Sequence, residues 1–205
     1  MKRRSLKAVK PMKRRLLKRG FLLLLGAVTL TACQADGEYS TWPCRFDYDN
    51  MVHQDQTLMT AMNPAAPGTF CKISESGFDY VFQNNQNMRS TKPRSEEERR
   101  ANYILGVNNG IIVGFQLYNQ QPNGGFVSYD AQCPNCVREE NEYLNPHYPL
   151  SMSTSGIATC EKCERRYDMN NGGIVQNGRE GDKGLEKYLA STTGPLGRLS
   201  CGTKR

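Results

Sequence analysis

Residues 126–136 read FVSYDAQCPNC, and this stretch decides the fold because it runs from a β-strand pattern directly into a pair of cysteines. A second pair follows as CEKC at residues 160–163. We name residues 133–136 the first knuckle and residues 160–163 the second knuckle. Two C-x-x-C pairs supply the four sulfurs that a tetrahedral metal site needs. The candidate metal ligands are therefore Cys133, Cys136, Cys160 and Cys163.

Short strand patterns surround both knuckles. Apolar runs and apolar–polar alternation predict strands at residues 71–74, 78–82, 110–118, 126–129, 157–159, 166–168 and 174–175, and residues 185–189 and 196–199 are expected to close the sheet. Turns are expected at residues 119–125 and 170–173. Short antiparallel strands separated by glycine-rich turns predict a mainly β fold. A short helix is predicted after Ser95, with Glu98 three residues later completing a capping box.

The first 32 residues have the pattern of an export signal. Ten Lys and Arg crowd residues 2–19 without an acid, and a short apolar core follows at residues 21–30. That core is shorter than the roughly 20 apolar residues of a membrane span, and it fits a signal peptide. The core ends in LTAC at residues 30–33, which resembles the lipobox of bacterial lipoproteins, so Cys33 is the predicted lipidation site. An ordinary signal peptide with a coincidental cysteine is the alternative.

The basic character of the chain belongs to this leader. The whole chain has 27 Lys and Arg against 20 Asp and Glu, a net charge of +7. Removing the ten bases of the leader leaves 17 bases against 20 acids, a formal charge of −3. The net charge of the mature chain therefore gives no support to nucleic-acid binding. The expected partner is a membrane, contacted through the N-terminal lipid. The long basic run leaves both Met1 and Met12 open as the start of translation.

The expected mature chain has 173 residues, the size of one domain. Residues 33–41 are mostly small and polar and predict a tether. Residues 42–205 are expected to form a single domain with a knuckle lobe at residues 126–175. Because Gln34 rather than an aspartate follows Cys33, we expect the outer membrane of a Gram-negative cell envelope, with the leaflet left open.

The sequence around the knuckles carries a family likeness. YDAQCP at residues 129–134, Tyr167 and Asp168 after the second knuckle, and the turns at Gly172 and Gly194 are similar to features of Rieske-type domains. This resemblance covers residues 110–199. It implies a Rieske-like antiparallel β-sandwich with a zinc-ribbon-like lobe of two knuckles. The wider chain also resembles lipoproteins of Bacteroides-type bacteria that are described as Rieske-like.

The ligand set departs from that family. A Rieske centre has the motifs C-x-H and C-x-x-H, with two histidines on one iron of a [2Fe-2S] cluster. Here Asn135 stands at the first histidine position and Cys163 at the second, and neither His53 nor His147 lies in a motif. Four cysteines suit zinc, which is our first expectation. A Cys-ligated [2Fe-2S] cluster and disulfides, which an exported location permits, are the alternatives.

The remaining cysteines and histidines carry weaker signals. Cys44 and Cys71 lie 27 positions apart, and both a disulfide and two buried free thiols stay open. Cys201 has no evident partner. His53 is expected to be a surface or turn residue rather than a ligand, and residues 139–142 are expected to form a solvated acidic loop.

Three functions are compatible with these features. The first is a non-enzymatic, lipid-anchored envelope protein whose metal site holds a β lobe together. The second is electron transfer by a [2Fe-2S] cluster. The third is a thiol-redox enzyme, which is disfavoured because such a motif usually opens a helix in a βαβ unit, whereas both knuckles are predicted to follow strands. The sequence contains no recognisable catalytic constellation, so we expect no enzyme.

Overall fold

Short β-strands dominate the part of the chain that the structure, a computed structural model, describes: residues 39–118 and 125–204. The strands are β1 (Arg45–Asp49), β2 (Phe70–Ser76), β3 (Asp79–Asn84), β4 (Arg89–Pro93), β5 (Ile111–Phe115), β6 (Phe126–Asp130), β7 (Leu150–Met152), β8 (Ile157–Cys160), β9 (Arg166–Asp168), β10 (Ile174–Val175), β11 (Lys187–Thr192) and β12 (Arg198–Gly202). The helices are α1 (Asn50–His53), α2 (Gln56–Ala61), α3 (Glu96–Arg100) and α4 (Pro134–Glu139), with a 3₁₀ helix at Met169–Asn171. Of these described residues, 37% lie in strands and 15% in helices, which confirms the mainly β class.

The strands form two antiparallel sheets. The larger sheet has the order β1-β12-β11-β6-β5-β2-β3-β4, and the smaller sheet has the order β10-β9-β8-β7. The larger sheet curls on itself: the rings of Phe46 on β1 and Tyr80 on β3 lie 5.4 Å apart, although five strands separate β1 from β3 in the sheet order. The curl encloses a buried cluster rich in aromatic residues, which includes Phe46 and Tyr80 and which we call the first core.

The central strands β5 and β6 are buried on both faces. Ile111 and Val113 of β5 point into the first core, and Ile112 between them joins a second core. All residues of β5 and β6 are buried. Burial on both faces explains why β5 is a continuous apolar run rather than an alternating one.

The second core joins the two sheets and contains the knuckles. Ile112 and Tyr129 of the larger sheet belong to one buried cluster with Leu150 and Tyr167 of the smaller sheet. Three of the four knuckle cysteines are members of the same cluster, and the fourth packs against it. The metal-site candidates therefore lie where the smaller sheet packs on the larger one.

Most predicted strands are present, and the helix after Ser95 is confirmed. Ser95 Oγ accepts from the backbone N–H of Glu98 at 3.2 Å, and Glu98 Oε2 accepts from the N–H of Ser95 at 2.7 Å, which completes the capping box. The prediction missed the strands β1, β4 and β7 and the helices α1, α2 and α4. The edge strand β4 is polar and mostly exposed, so it lacks the apolar signal from which a strand is recognised.

Two boundaries differ from the sequence expectation. Ser40 is already buried, and its N–H donates to the carbonyl of Lys187 at 2.7 Å, so packed structure begins before residue 42. Strand β6 pairs with β5 and β11 in the larger sheet, so the knuckle lobe starts after β6 rather than at residue 126. The predicted leader and Cys33 lie outside the described residues.

Candidate metal centre

The first knuckle lies at the start of helix α4. Cys133 is the N-cap residue, and Pro134 occupies the first helical turn, where the fixed φ of proline suits a helix start. The N–H of Cys133 donates to the carbonyl of Tyr148 at 2.8 Å, which attaches the knuckle to the segment leading into β7. The sequence predicted a strand before this knuckle but not the helix that it opens. A helix N-terminus favours a thiolate, because its free N–H groups carry partial positive charge.

The second knuckle forms the turn between β8 and β9. The N–H of Glu164 donates to the carbonyl of Cys160 at 2.9 Å, and the N–H of Cys160 donates to the carbonyl of Arg165 at 3.0 Å. Glu164 closes the turn in the left-handed region at φ 58°, a conformation that costs a non-glycine residue roughly 1–2 kcal/mol. The turn therefore directs both cysteine side chains to one side.

The four sulfurs converge on one point. Each lies within 4.8 Å of the other three. Across the knuckles, the Sγ atoms of Cys133 and Cys163 are 3.7 Å apart, as are those of Cys136 and Cys160. A tetrahedral site with zinc–sulfur bonds of about 2.3 Å has sulfur–sulfur edges of about 3.8 Å. The four cysteines, all free, could thus hold a metal ion.

Burial and hydrogen bonds shift the pKa values of Cys133, Cys136 and Cys160. Burial raises the pKa of Cys136 to about 12. The pKa of Cys133 is also raised, first by its hydrogen bond to Cys160 and then by burial. The pKa of Cys160 falls to about 5, first because Cys133 donates a hydrogen bond to it and then because the backbone N–H groups of Cys163 and Lys162 do so. Buried thiolates need a compensating cation before all four can ionise together.

Polar residues beside the sulfurs hold them in place. The hydroxyl of Tyr167 lies 3.0 Å from Cys133 Sγ. Asn135 Nδ2 donates to that hydroxyl at 3.0 Å and to the carbonyl of Lys183 at 2.8 Å. Asn135 Oδ1 accepts from the N–H of Lys183 at 2.9 Å. Such outer hydrogen bonds orient metal ligands and tune their basicity.

From the sequence, Tyr167 and Asn135 were of interest only because they belong to the region that resembles a known family. Their contacts join residues more than 30 positions apart, so no local pattern could reveal them. The feature available in the sequence was the aromatic–aspartate pair after the second knuckle, and it suggested only a resemblance to a family, not this hydrogen bond.

A charged groove of about 340 Å³ lies beside the second knuckle. Arg165, whose side chain is 7% exposed, pairs with Asp182 at 2.8 Å and with Glu139 at 2.5 Å. Glu140 pairs with Lys162 at 2.7 Å. The acidic run at residues 139–142 is therefore partly paired rather than simply solvated. Cys163 lines this groove and is the one ligand candidate that is not fully buried.

Neither histidine joins the four sulfurs. His147 is exposed, and His53 pairs with Glu98 at 3.0 Å. His53 is also more buried than the sequence predicted, because its side chain is 10% exposed. Among the residues of 39–118 and 125–204, the group that could hold a metal ion consists of cysteines alone.

The disulfide considered between Cys44 and Cys71 is not formed. Both residues are buried free cysteines. The backbone of Cys44, just before β1, is hydrogen bonded to Thr203, whereas Cys71 on β2 is paired with Asn84 and Val113. Of the two alternatives, the structure has the buried free thiols.

Comparison of the chain with protein-family models, with curated proteins and with solved structures gives no match in any of the three. Within the described ranges, no helix is both long and apolar enough to cross a membrane. Functional inference therefore depends on the site itself.

Proposed function

We propose that the chain is a lipid-anchored, non-enzymatic protein of the bacterial cell envelope whose four knuckle cysteines hold a single zinc ion. The observation that carries this proposal is the sulfur quartet, in which all four atoms lie within 4.8 Å of one another. Two sulfur–sulfur separations of 3.7 Å join opposite knuckles. The sulfurs are therefore spaced as ligands of one centre rather than as two separate pairs.

The same spacing favours one ion over a two-iron cluster. In a [2Fe-2S] cluster each iron takes two of the four cysteines. The two irons lie side by side, so the two cysteine pairs are held further apart than ligands that share one ion. A quartet whose six sulfur–sulfur separations all stay within 4.8 Å, two of them at 3.7 Å, suits the single ion. Electron transfer by a cluster is accordingly our second candidate.

Zinc is the preferred ion because of the donor set. An all-thiolate tetrahedral set takes zinc or iron, and four protein ligands without an open position are typical of structural zinc. Bound zinc supplies charge to offset the thiolates and carries no redox chemistry. With three cysteines buried and Cys163 half-buried, the chain itself fills all four positions and leaves none for a substrate.

We propose that the ion stabilises the knuckle lobe by joining the first knuckle to the second. The first knuckle continues from β6 of the larger sheet, and the second is the β8–β9 turn of the smaller sheet. Residues 140–149 join α4 to β7 without a helix or strand, and the smaller sheet has strands of two to four residues. Four metal–sulfur bonds would hold α4 against that turn.

The Rieske-like fold and the lipid anchor belong to the proposal. The fold is supported by the position of two cysteine loops next to a small antiparallel sheet. The anchor is supported by the LTAC sequence at residues 30–33 and by the basic, apolar leader that precedes it. We place the protein in the outer membrane on the basis of Gln34.

Metal analysis of the protein, purified under reducing conditions, tests the function. We expect about one zinc per chain, a colourless protein, and loss of the metal in Cys133→Ala and Cys163→Ala. The matched control is Cys201→Ala, a buried free cysteine of the first core, which should keep its zinc. Iron with inorganic sulfide and visible colour would replace the zinc proposal by the electron-transfer candidate, and a reduced protein that binds neither metal would overturn both.

A further inference from the structure

The two short sulfur contacts between the knuckles differ in their access to solvent. The contact of Cys136 with Cys160 is buried, whereas the contact of Cys133 with Cys163 is only partly buried, although both are 3.7 Å long. Cys133, Cys136 and Cys160 are at most 2% exposed, and Cys163 is the partly exposed member of the quartet. The Cys133–Cys163 side is therefore the side from which a small solute can reach the sulfurs.

The charged groove beside the second knuckle provides that access. Of the four knuckle cysteines, Cys163 alone lines it. Its walls also include Arg165, Asn177 and Asp182, so the groove is polar, and its volume of about 340 Å³ has room for several water molecules. Hydrogen peroxide is polar and only a little larger than water, so it fits the same space.

Both short contacts join one knuckle to the other. Their partners lie 30 and 24 positions apart in the sequence. Because a disulfide is about 2.05 Å long, two sulfurs 3.7 Å apart need to approach each other by less than about 2 Å to form one. A disulfide across either contact would link α4 to the β8–β9 turn, the two elements that the proposed ion joins.

We infer that the quartet is a redox-sensitive site, at which hydrogen peroxide oxidises Cys163 and Cys133 to a disulfide between the knuckles and thereby releases the ion. Because this regulation acts on the proposed zinc site, it rests on the proposed function. The sulfurs undergo the redox change, since zinc itself has none. In an oxidising compartment, where disulfides persist, the knuckles are thus joined by the metal before oxidation and by a disulfide after it.

The oxidation balances between the sulfurs and the peroxide. The sulfur of Cys163 attacks one peroxide oxygen, an S–O bond forms, the O–O bond breaks, and the departing hydroxide takes a proton from solvent and leaves as water. The sulfur of Cys133 then attacks the sulfenic sulfur of Cys163, an S–S bond forms, and the S–O bond breaks to release a second water, again with a proton from solvent. The two sulfurs lose two electrons, which the peroxide gains. The ion then retains two ligands of four and is released.

The test is the addition of one equivalent of hydrogen peroxide to the zinc-loaded mature protein, with a coloured zinc indicator in solution. We expect loss of the zinc. Mass spectrometry after alkylation of the remaining thiols should then find Cys133 bonded to Cys163. A second equivalent should add the bond between Cys136 and Cys160, which is the buried contact and reacts later.

Two controls accompany this measurement. The chain carries its own matched cysteines, buried and free in the first core, which should stay reduced: Cys44, Cys71 and Cys201. The second control is the reduced protein from which a chelator has removed the zinc. Amide hydrogen exchange in β8 and β9 should be slower in the oxidised protein than in this control, because the disulfide keeps the knuckles joined.

Three results would contradict the inference. They are zinc that stays bound after peroxide is consumed, a disulfide within a knuckle (Cys133–Cys136 or Cys160–Cys163), and oxidation of the first-core cysteines before Cys163. Each of these leaves the zinc proposal intact. A purified, reduced protein that holds no zinc before peroxide is added would instead overturn the proposed function, and the regulation with it.

Discussion

Asn135 stands where the Rieske pattern has its first histidine, and its amide is fully engaged elsewhere. Its nitrogen donates to Tyr167 and to the carbonyl of Lys183, and its oxygen accepts from the N–H of Lys183 and from Arg138. The side chain therefore braces the centre from outside the sulfur quartet. Cys136, one residue later, supplies the second sulfur of the first knuckle.

The hydroxyl of Tyr167 should strengthen metal binding. It lies 3.0 Å from Cys133 Sγ, and removing such an outer hydrogen bond typically costs about 10–100-fold in metal affinity. We expect Tyr167→Phe to lower the affinity by about tenfold or more, measured by competition with a coloured chelator. Tyr143→Phe, at a tyrosine 46% exposed, is the control and should have no effect. If Tyr167→Phe binds the metal as tightly as the unchanged protein does, the hydroxyl of Tyr167 does not contribute to metal binding.

Asp130 should make stability depend on pH. Burial raises the pKa of this carboxyl from 3.8 to about 6, although hydrogen bonds from Tyr188, Val107 and Gln132 partly offset the burial. Between these two values the folded state holds a proton that the unfolded state releases. The free energy of unfolding therefore falls as the pH rises from about 4 through about 6, by roughly 3 kcal/mol in total.

Denaturant unfolding of the unchanged protein and of Asp130→Asn at several pH values checks this prediction. The substitution removes the titrating group. In the variant, the free energy of unfolding should therefore change little between pH 4 and pH 7, whatever its absolute value. If the free energy of unfolding of Asp130→Asn still falls with rising pH as it does in the unchanged protein, the pH dependence belongs to another group.

At the scale of elements, the close approach of β5 to the start of β2 requires a glycine. A Cβ at Gly114 would meet the carbonyl oxygen of Thr69 and lie 2.7 Å from Phe70 Cδ1. Overpacking of this kind costs about 1–3 kcal/mol, so Gly114→Ala should lower the free energy of unfolding by that amount in a denaturant titration. Gly202→Ala on β12, where the nearest atom would be 3.7 Å away, should be tolerated. Similar losses for both variants would contradict the close-approach argument.

The sequence predicted those elements whose signals are local. The apolar run of β5, the capping box of α3 and the two C-x-x-C pairs each lie within a few residues, so spacing and composition were sufficient. The pairing of β1 with β12 joins residues about 150 positions apart, and no sequence pattern specifies it. Strand β4 was missed because an exposed edge strand needs no apolar face.

The same distinction applies to the metal centre. The four candidate ligands followed from the C-x-x-C spacing, because each knuckle is built locally. Their convergence depends on how α4 packs against the β8–β9 turn, which involves the contact of Cys133 with Tyr148 and the shared core of Tyr129 and Tyr167. These long-range contacts, together with the roles of Asn135 and Tyr167, became visible only in three dimensions.

At the scale of the whole molecule, Cys33 should determine where the protein resides. The LTAC sequence and the leader predict a lipid on this cysteine, and a lipid contributes about 0.8 kcal/mol of membrane affinity per buried methylene. We expect Cys33→Ser to move the protein from the membrane fraction to the soluble fraction after cell fractionation. Cys201→Ser should leave the distribution unchanged. Membrane association that persists in Cys33→Ser would contradict the anchor.

The measurement that tests the central claim most directly is X-ray absorption spectroscopy at the metal edge of the protein purified under reducing conditions. The account predicts zinc with four sulfur neighbours at about 2.3 Å, without a second metal nearby, and loss of that signal in Cys163→Ala. Scattering from a second metal atom would indicate a cluster. Nitrogen or oxygen in place of a sulfur, or a protein that carries no metal, would contradict the claim that the four cysteines bind one zinc ion.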